Sequence, residues 1–418
     1  MNSLGSVIYL RLKKTVAGVN MRDIVIVGGG PAGCFAGKLL AERGFDVAII
    51  EEHAEIGHPV CCAGIVGVGG LKELGIKPGK WVLNELKGAI FHPPLGNPLT
   101  ITRNKVEALV IDRASFDRKL AICAAKAGAT FLMKTRCTDI KLGHEPSVKV
   151  EGTNGKSEIH GRLIIGADGP NSLVARRAGL LRAARHINCA QVEALADVDS
   201  NTAELYLSRA FAPGFFAWMV PAGDVCRVGL GASEGLPARS LLNFIENHPT
   251  ASKKIRGKNL LHLTAGLIPE PLTRKIYSNH IMLVGDAAGH VKPLTGGGIY
   301  LGLSCARLAV DVATIALEGE PTAKALQSYE IAVRKKFGHE IELGLRARNL
   351  FKKLPDDTLD SIFELFTKPK VQALMLRHAD FDHHDALIRG LLKSGPSLLR
   401  SLGLRKSLRH LRSLTSSK

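Results

Sequence analysis

The hydrophobic positions change period along the chain, and each change marks an element. An apolar run, Ile24-Val25-Ile26-Val27, leads into Gly28-Gly29-Gly30-Pro31-Ala32-Gly33. A helix-period stretch follows, with Leu39 and Leu40 on its inner side and Gly44 at its end, and then a second apolar run, Val47 to Ile50, closed by Glu51. Unbroken short runs predict strands buried on both faces, so residues 22–51 read as strand, turn, helix, strand. A second helix opens at Asp112-Arg113, turns Phe116, Leu120, Cys123 and Ala127 inward, and stops at Gly128. A strand begins at Ala129, and Val148-Lys149-Val150 and Ile159-His160 flank the hairpin signal Asn154-Gly155. This three-stranded insertion is expected to stand outside the main parallel sheet, which the run 162–167 rejoins.

Residues 186–275 change character. Stretches 189–198, 203–208, 215–220 and 225–230 read as strands broken by Pro and Gly, and strand alternation would point Phe215 and Phe216 to opposite faces, one toward the core and one into an apolar tunnel. Another buried strand, 281–284, precedes a helix over 300–317. After residue 326 the pattern is helical, with Asp356-Asp357 as N-terminal acids and Ile362, Phe363, Leu365 and Phe366 as an apolar face. The pattern predicts an α/β protein: a discontinuous Rossmann-like nucleotide-binding domain (21–185 and 276–325), an antiparallel sheet domain for substrate (186–275) and a helical C-terminal region (326–418). Residues 1–20, ahead of Met21, read as a loose extension or an upstream start.

Composition narrows the partners. The 418 residues carry 56 Lys and Arg against 38 Asp and Glu, a net charge of +18, which suits either a generally basic surface or an anionic partner. With 5% aromatic residues and no nucleic-acid module, nucleic acid is the poorest fit. Leu404, Leu408 and Leu411 share a helical face opposite Arg405, Lys406, Arg409 and Arg412. Such a helix lies on anionic membrane surfaces, although a frayed, solvated end fits the same residues. The eight cysteines form no CxxC pair or Cys/His ligand set, which argues against disulfide scaffolds and metal or iron–sulfur sites and for a reducing cytoplasm. His378, His383 and His384 with Asp380, Asp382 and Asp385 match no ligand spacing and read as solvated loop or helix-cap residues.

Three glycine-flanked strand ends carry the candidate chemistry. In the first, Gly28 makes the tight turn, Gly30 admits a pyrophosphate and Gly33 lets helix and strand pack, while Glu51 meets a ribose. The second is Gly166-Ala167-Asp168-Gly169. The third is Gly285-Asp286-Ala287-Ala288-Gly289, where Asp286 can meet a ribityl hydroxyl, with Gly296, Gly297 and Gly298 offering amides to the electron-rich end of a flavin ring. Arg113 reads either as a structural cation or as a partner for a cofactor phosphate. The loop Ile56-Gly57-His58-Pro59-Val60-Cys61-Cys62-Ala63-Gly64 is either an ordinary glycine-rich loop or a backbone laid against a flat ring.

GGGPAG with Glu51, GADG at Asp168 and GDAAG at Asp286 resemble the FAD-dependent oxidoreductases of the aromatic-hydroxylase superfamily, over residues 21–320, with their glutathione-reductase-type fold. Within them the chain is most similar to the geranylgeranyl reductase family, including archaeal digeranylgeranylglycerophospholipid reductases. Ile56-Gly57-x-Pro59-Val60-x-Cys62-Ala63 resembles that family's Cys-Ala segment. Pro213-x-x-Phe216-x-Trp218-x-Val220-Pro221 resembles its P-x-x-Y-x-W-x-F-P motif, with Phe216 in place of Tyr and Val220 in place of Phe. The resemblance implies FAD contacts at Ala32, Glu51, Cys62, Ala63, Gly64, Arg113, Cys137, Asp286, Gly298 and Ile299, and a substrate wall including Phe216, Trp218 and Pro221. It implies saturation of isolated C=C bonds in geranylgeranyl lipids with an external electron donor (ferredoxin, a nicotinamide or a deazaflavin). Cys62 is then the candidate proton donor, or a thiol that packs on the ring. A flavin monooxygenase and a non-catalytic prenyl-lipid binder are the rival readings.

Overall fold

The computed structural model describes residues 15–16, 19–180, 186–271, 275–378 and 381–382. A short ladder of β1 (Thr15–Val16) with β2 (Val19–Asn20) precedes the expected unit of β3 (Arg22–Val27), α1 (Pro31–Glu42) and β4 (Val47–Ile50). Next come β5 (Ile65–Gly67), α2 (Val68–Glu73), β6 (Val82–Leu86), β7 (Gly88–His92), β8 (Leu99–Thr102), β9 (Ala108–Ile111) and α3 (Arg113–Ala127). They are followed by β10 (Thr130–Leu132), β11 (Arg136–Lys141), β12 (Ser147–Gly152), β13 (Gly155–Gly166) and α4 (Leu173–Arg177). The middle of the chain forms β14 (His186–Ala196), β15 (Thr202–Tyr206), β16 (Ala217–Ala222), β17 (Val225–Ala232), α5 (Pro237–Asn247), α6 (Ala251–Lys254) and β18 (Ile255–Pro269). Then β19 (Tyr277–Ser278), β20 (Ile281–Leu283) and a 3-10 turn, Gly285–Ala288, lead to α7 (Ile299–Ala316) and α8 (Ala323–Val333). A π-helical turn, Arg334–Gly338, precedes α9 (His339–Phe351), α10 (Asp356–Phe366) and α11 (Pro369–His378).

The main sheet has the order β10-β4-β3-β13-β12-β11, with β20 also on β13. Strands β10, β4, β3, β13 and β20 are parallel and closed in by α1, α3, α7 and α8, which is why Ile24 to Val27 and Val47 to Ile50 are apolar without alternation. The three-stranded insertion is not separate from this sheet as expected. One unbroken strand, β13, pairs through residues 155–160 with β12 and through residues 161–166 with β3, so the hairpin is an extension of the main sheet.

The second sheet runs β18-β14-β17-β16-β15-β7-β8. It departs from the expectation in two ways: β7 and β8 come from within 21–185, and β7 pairs in parallel with β15, so the sheet is mixed rather than wholly antiparallel. Its outer face packs on α5 through Val192, Val228, Leu230, Leu241 and Phe244, while its inner face, with Ile187, Trp218 and Val220, looks toward the loop at Cys62. Phe215 and Phe216 do not alternate across it. Gly214 turns the chain at φ 75° and β16 begins only at Ala217, so both rings lie ahead of the pleat and stack on each other at 4.1 Å. Helices α10 and α11 close the β8 end of this sheet through Phe363, Leu365, Val371 and Met375 against Leu99 and Leu207.

The 18-residue α7 is long and apolar enough to cross a bilayer by length and composition, but it is mostly buried in this fold, packed on α1. The basic stretch at Leu404 to Arg412 lies outside the described residues.

Candidate active site

At the first strand end, Gly28 adopts φ 106°, and a Cβ there would stand 2.3 Å from the carbonyl oxygen of Ala167; a Cβ at Gly33 would stand 2.1 Å from that of Gly28. Only glycine allows this turn to nest against the GADG segment. At Gly30 a Cβ would meet no protein atom, so the fold leaves open space in front of the α1 N-terminus. No side chain caps that terminus, and the backbone amides of Ala32 and Gly33 face this space as helix N-terminal donors. Glu51 is 9% exposed; its Oε2 accepts from Gly29 N at 2.8 Å, and its Oε1 lies 2.9 Å from His53 N and 2.6 Å from His53 Nδ1. A carboxylate offers about four acceptor positions, so Oε2 keeps one for a ribose hydroxyl.

Cys137 lies beyond this end. The backbone N–H of Thr135 donates to the Glu51 carbonyl at 2.8 Å, which carries the start of β11 past the acid. Burial and the nearby Asp168 lift the Cys137 thiol to about 12, so it stays protonated. Asp168 itself, expected at the cofactor, is turned toward the next helix. Its Oδ1 accepts from Ser172 Oγ at 2.6 Å and its Oδ2 from Leu173 N and Val174 N at 2.7 and 3.1 Å. Oδ2 thus serves the first amides of α4 while Oδ1 holds the hydroxyl of its N-cap, Ser172.

The third strand end leads into the α7 N-terminus. Asp286 is half-buried, has no hydrogen-bond donor on its carboxylate among the described residues, and burial pushes its pKa up to about 6 against the pull of Arg113. A Cβ at Gly298 would touch its Oδ1 at 3.0 Å, so the carboxylate lies directly beside the Gly296–Gly297–Gly298 turn. The α7 terminus also lacks a side-chain cap, leaving the amides around Gly297, Gly298 and Ile299 as donors.

The loop Cys62-Ala63-Gly64 stands between this end and the second sheet because β5 pairs with β9. Ile111 N donates to Gly64 O at 2.8 Å, and two residues beyond β9 the α3 helix starts with Arg113. Arg113 grips Asp117 through Nε and Nη2 at 3.1 and 2.9 Å. Burial opposes its charge, but Asp117 and the Cys62 sulfur outweigh this, and its field reaches Asp286. The guanidinium therefore stands between the Cys62 loop and the Asp286 end.

The structure adds two residues with no motif. Gln191 donates through Nε2 to the Cys62 carbonyl at 3.2 Å and accepts the Trp218 indole N–H at 3.1 Å; Arg227 donates to Ala63 O and Ile111 O at 3.0 and 2.9 Å. Both are polar side chains inside apolar strands, and that anomaly is the signal by which a sequence would reveal them. Phe216 stands edge-on to Trp218 at 6.1 Å, forming an apolar wall beside this loop. Pro221 lies further along β16, its carbonyl held by Asn84 Nδ2 at 3.2 Å.

Asp382, expected in a solvated loop or helix cap, is buried. Its Oδ1 lies 3.1 Å from Lys292 Nζ and its Oδ2 accepts from Gly70 N at 2.7 Å. The other members of that acidic and histidine group, Asp380, His383, His384 and Asp385, lie outside the described residues, as does the His378 side chain.

The two helix N-termini face the turns at Gly30 and Gly298, with an unpartnered Asp286 between the Arg113 side and α7. These features fit a dinucleotide carrying a flavin, and the class they define is a FAD-dependent oxidoreductase. Residues 99–342 match the FAD binding domain family, and residues 26–61 match an NAD(P)-binding Rossmann-like domain. The chain is 36% identical to digeranylgeranylglycerophospholipid reductase 1 of Methanothermobacter thermautotrophicus, covering 91% of this chain and 97% of that protein. It is 34% identical to the digeranylgeranylglycerophospholipid reductase of Methanocaldococcus jannaschii, over 82% of this chain and 90% of that one. The solved structure of a geranylgeranyl bacteriochlorophyll reductase-like protein of Thermoplasma acidophilum superposes with a TM-score of 0.82 at 28% identity, covering 92% and 98% of the two chains. The chain belongs to the digeranylgeranylglycerophospholipid reductase family and is a FAD-dependent reductase.

Proposed function

We propose that this reductase saturates isolated C=C bonds in the geranylgeranyl chains of membrane-lipid precursors. The observation that carries the reading is the clamp on the Cys62 loop: Gln191, Trp218 and Arg227 of the second sheet fix Cys62 and Ala63 between the apolar wall and the Asp286 end. The relatives' names supply the substrate class.

Reduced FAD, when bound, supplies a hydride to one olefin carbon. An unactivated alkene has no carbonyl to polarise, so the chain's contribution is to hold the olefin in an apolar, water-poor site and to place one proton source. Phe216 and Trp218 form that wall, and Cys62 Sγ, 3.3 Å from Gly64 N, is the group that donates the proton to the second carbon. The cofactor-binding set is Gly28, Gly30, Ala32, Gly33, Glu51, Cys62, Ala63, Gly64, Arg113, Cys137, Asp286, Gly297, Gly298 and Ile299.

An external donor, whether ferredoxin, a nicotinamide or a deazaflavin, reloads the flavin, and the basic C-terminal stretch brings the cytoplasmic enzyme to an anionic membrane surface. The test is anaerobic turnover of a geranylgeranyl lipid with an artificial reductant, read by mass spectrometry. Stepwise gains of two hydrogens support the reading; oxygen addition in air would make the protein a monooxygenase, and an unchanged lipid would make it a binder.

A further inference from the structure

Lys292 and Asp382 form an ion pair inside the fold, at 5% and 2% exposure. The Lys292 ammonium lies 3.1 Å from Asp382 Oδ1, donates to the Phe381 carbonyl at 2.7 Å and stands 5.2 and 5.8 Å from the ring centroids of Phe381 and Tyr300. Carbonyl, carboxylate and two aromatic faces all favour a cation. Attraction within a buried pair does little more than offset the desolvation of its two charges, and packed apolar side chains of similar volume would hold a fold as well. What sets this pair apart is its place.

The lysine belongs to the turn ahead of α7. Its backbone N–H donates to the Gly297 carbonyl at 3.1 Å, its carbonyl accepts from Gly296 N at 2.9 Å, and a Cβ on Gly297 would stand 3.8 Å from its Cδ. The stem of the side chain therefore runs along Gly297, in the turn assigned above to the electron-rich end of the flavin ring. The acid stands on the other arm of the site. Its carboxylate would collide with a Cβ on Gly67 or Gly70, and Gly67 ends β5, the strand that continues from Cys62-Ala63-Gly64. The pair thus turns its positive end to the ring turn and its negative end to the start of α2. The nearby Glu73 is matched by its own partners, accepting from Tyr300 OH at 2.5 Å and from Lys336 Nζ at 2.6 Å.

We propose that Lys292 and Asp382 are positioning residues that tune the reduction potential of the bound flavin: Lys292 by its charge along the Gly296–Gly297–Gly298 turn, Asp382 by fixing and partly neutralising that charge. Two electrons and one proton from the external donor leave one negative charge on a flavin ring, so a cation beside it favours the reduced form and an anion the oxidised form. The inference rests on the cofactor-binding set given above.

The test is the reduction potential of FAD bound to the full-length enzyme, measured by equilibration with a reference dye under anaerobic conditions. Asp382→Asn leaves the ammonium uncompensated. It is expected to move the ratio of reduced to oxidised flavin at a fixed poise at least tenfold toward the reduced form, a rise of about 30 mV for a two-electron couple. Lys292→Met leaves the carboxylate uncompensated and is expected to move the ratio at least tenfold the other way. The double variant, which buries no unpaired charge, should return to within threefold of wild type, and Asp382→Glu should stay closer to wild type than Asp382→Asn.

Opposite shifts in the two single variants are what a packing role would not produce. Should one single variant fail to fold, the sign of the other and the return in the double variant decide. Shifts of the same sign, potentials that do not move, or loss of FAD from both single variants would make the pair a structural lock and overturn the tuning. A wild-type enzyme that holds no FAD would sink the cofactor-binding set and the tuning with it, whereas FAD retained at unmoved potentials removes the tuning alone.

Discussion

The indole N–H of Trp218 donates to Oε1 of Gln191 at 3.1 Å, and through that amide the second sheet holds the Cys62 carbonyl. The tryptophan therefore acts on the loop at one remove, with Gly229 beneath it: a Cβ there would stand 2.5 Å from the indole ring. Gln191→Leu removes both bonds and leaves a buried N–H and a carbonyl unpaired. We expect a loss of about 1–3 kcal/mol for each orphaned group as an upper bound, read by chemical denaturation. We also expect a fall in kcat larger than the change in KM, because the loop is misplaced while the apolar wall remains. A variant with wild-type kcat would remove the clamp from the mechanism.

Glu51→Ala should weaken FAD retention by about 1.5–3 kcal/mol, the scale of hydrogen bonds to a charged group. Fluorescence titration of the deflavinated protein measures it, and undiminished affinity would take Glu51 out of the site.

Cys62→Ser should keep fold and FAD yet slow single-turnover reduction by ~10²-fold, the usual scale for removing a general acid. Cys61→Ser is the control. Its sulfur packs against the second sheet, where a Cβ on Gly266 would stand only 2.2 Å away, and burial with the neighbouring Cys62 raises its pKa. Two variants at the wild-type rate would leave Cys62 as a packing residue.

Acid should destabilise the second sheet. Glu204 is 1% exposed; burial would raise its pKa, but His92 Nε2 at 2.8 Å, Lys254 Nζ at 2.6 Å and Tyr206 OH at 2.6 Å hold it down to about 2. Because the folded pKa lies below the ordinary 4.5, the stabilisation is complete above pH 4.5 and is lost as pH falls from there toward 2. Denaturation midpoints measured from pH 7 to 3 should drop below pH 4.5 in the wild type and flatten in Glu204→Gln, which should itself cost about 3 kcal/mol by stranding its cation. A wild-type curve that stays level below pH 4.5 would contradict the assignment.

The parallel core was legible because burial on both faces leaves an unmistakable run of Ile and Val at β3 and β4, and the glycine turns because their φ angles admit little else. The role of Asp168 at the turn into α4 was not legible, because a strand-terminal acid looks the same in sequence whether or not it also meets the amides of the next helix. Phe215 and Phe216 were misassigned because alternation holds only inside a strand, and the strand starts at Ala217, two residues later than expected. Gln191 and Arg227 escaped because long-range contacts choose them; what a sequence shows is only a polar residue in an apolar setting.

The buried pair of Lys292 with Asp382 also sets a timetable for synthesis. Gly67 and Gly70 lack the side chains that would collide with the Asp382 carboxylate, and Lys292 belongs to the turn that leads into α7. During translation that turn emerges some ninety residues before the Phe381 carbonyl and Asp382 carboxylate that its ammonium contacts. A nascent chain can therefore assemble β3, α1 and β4 early, whereas the flavin end of the cradle gains this lock only after residue 382 has left the ribosome.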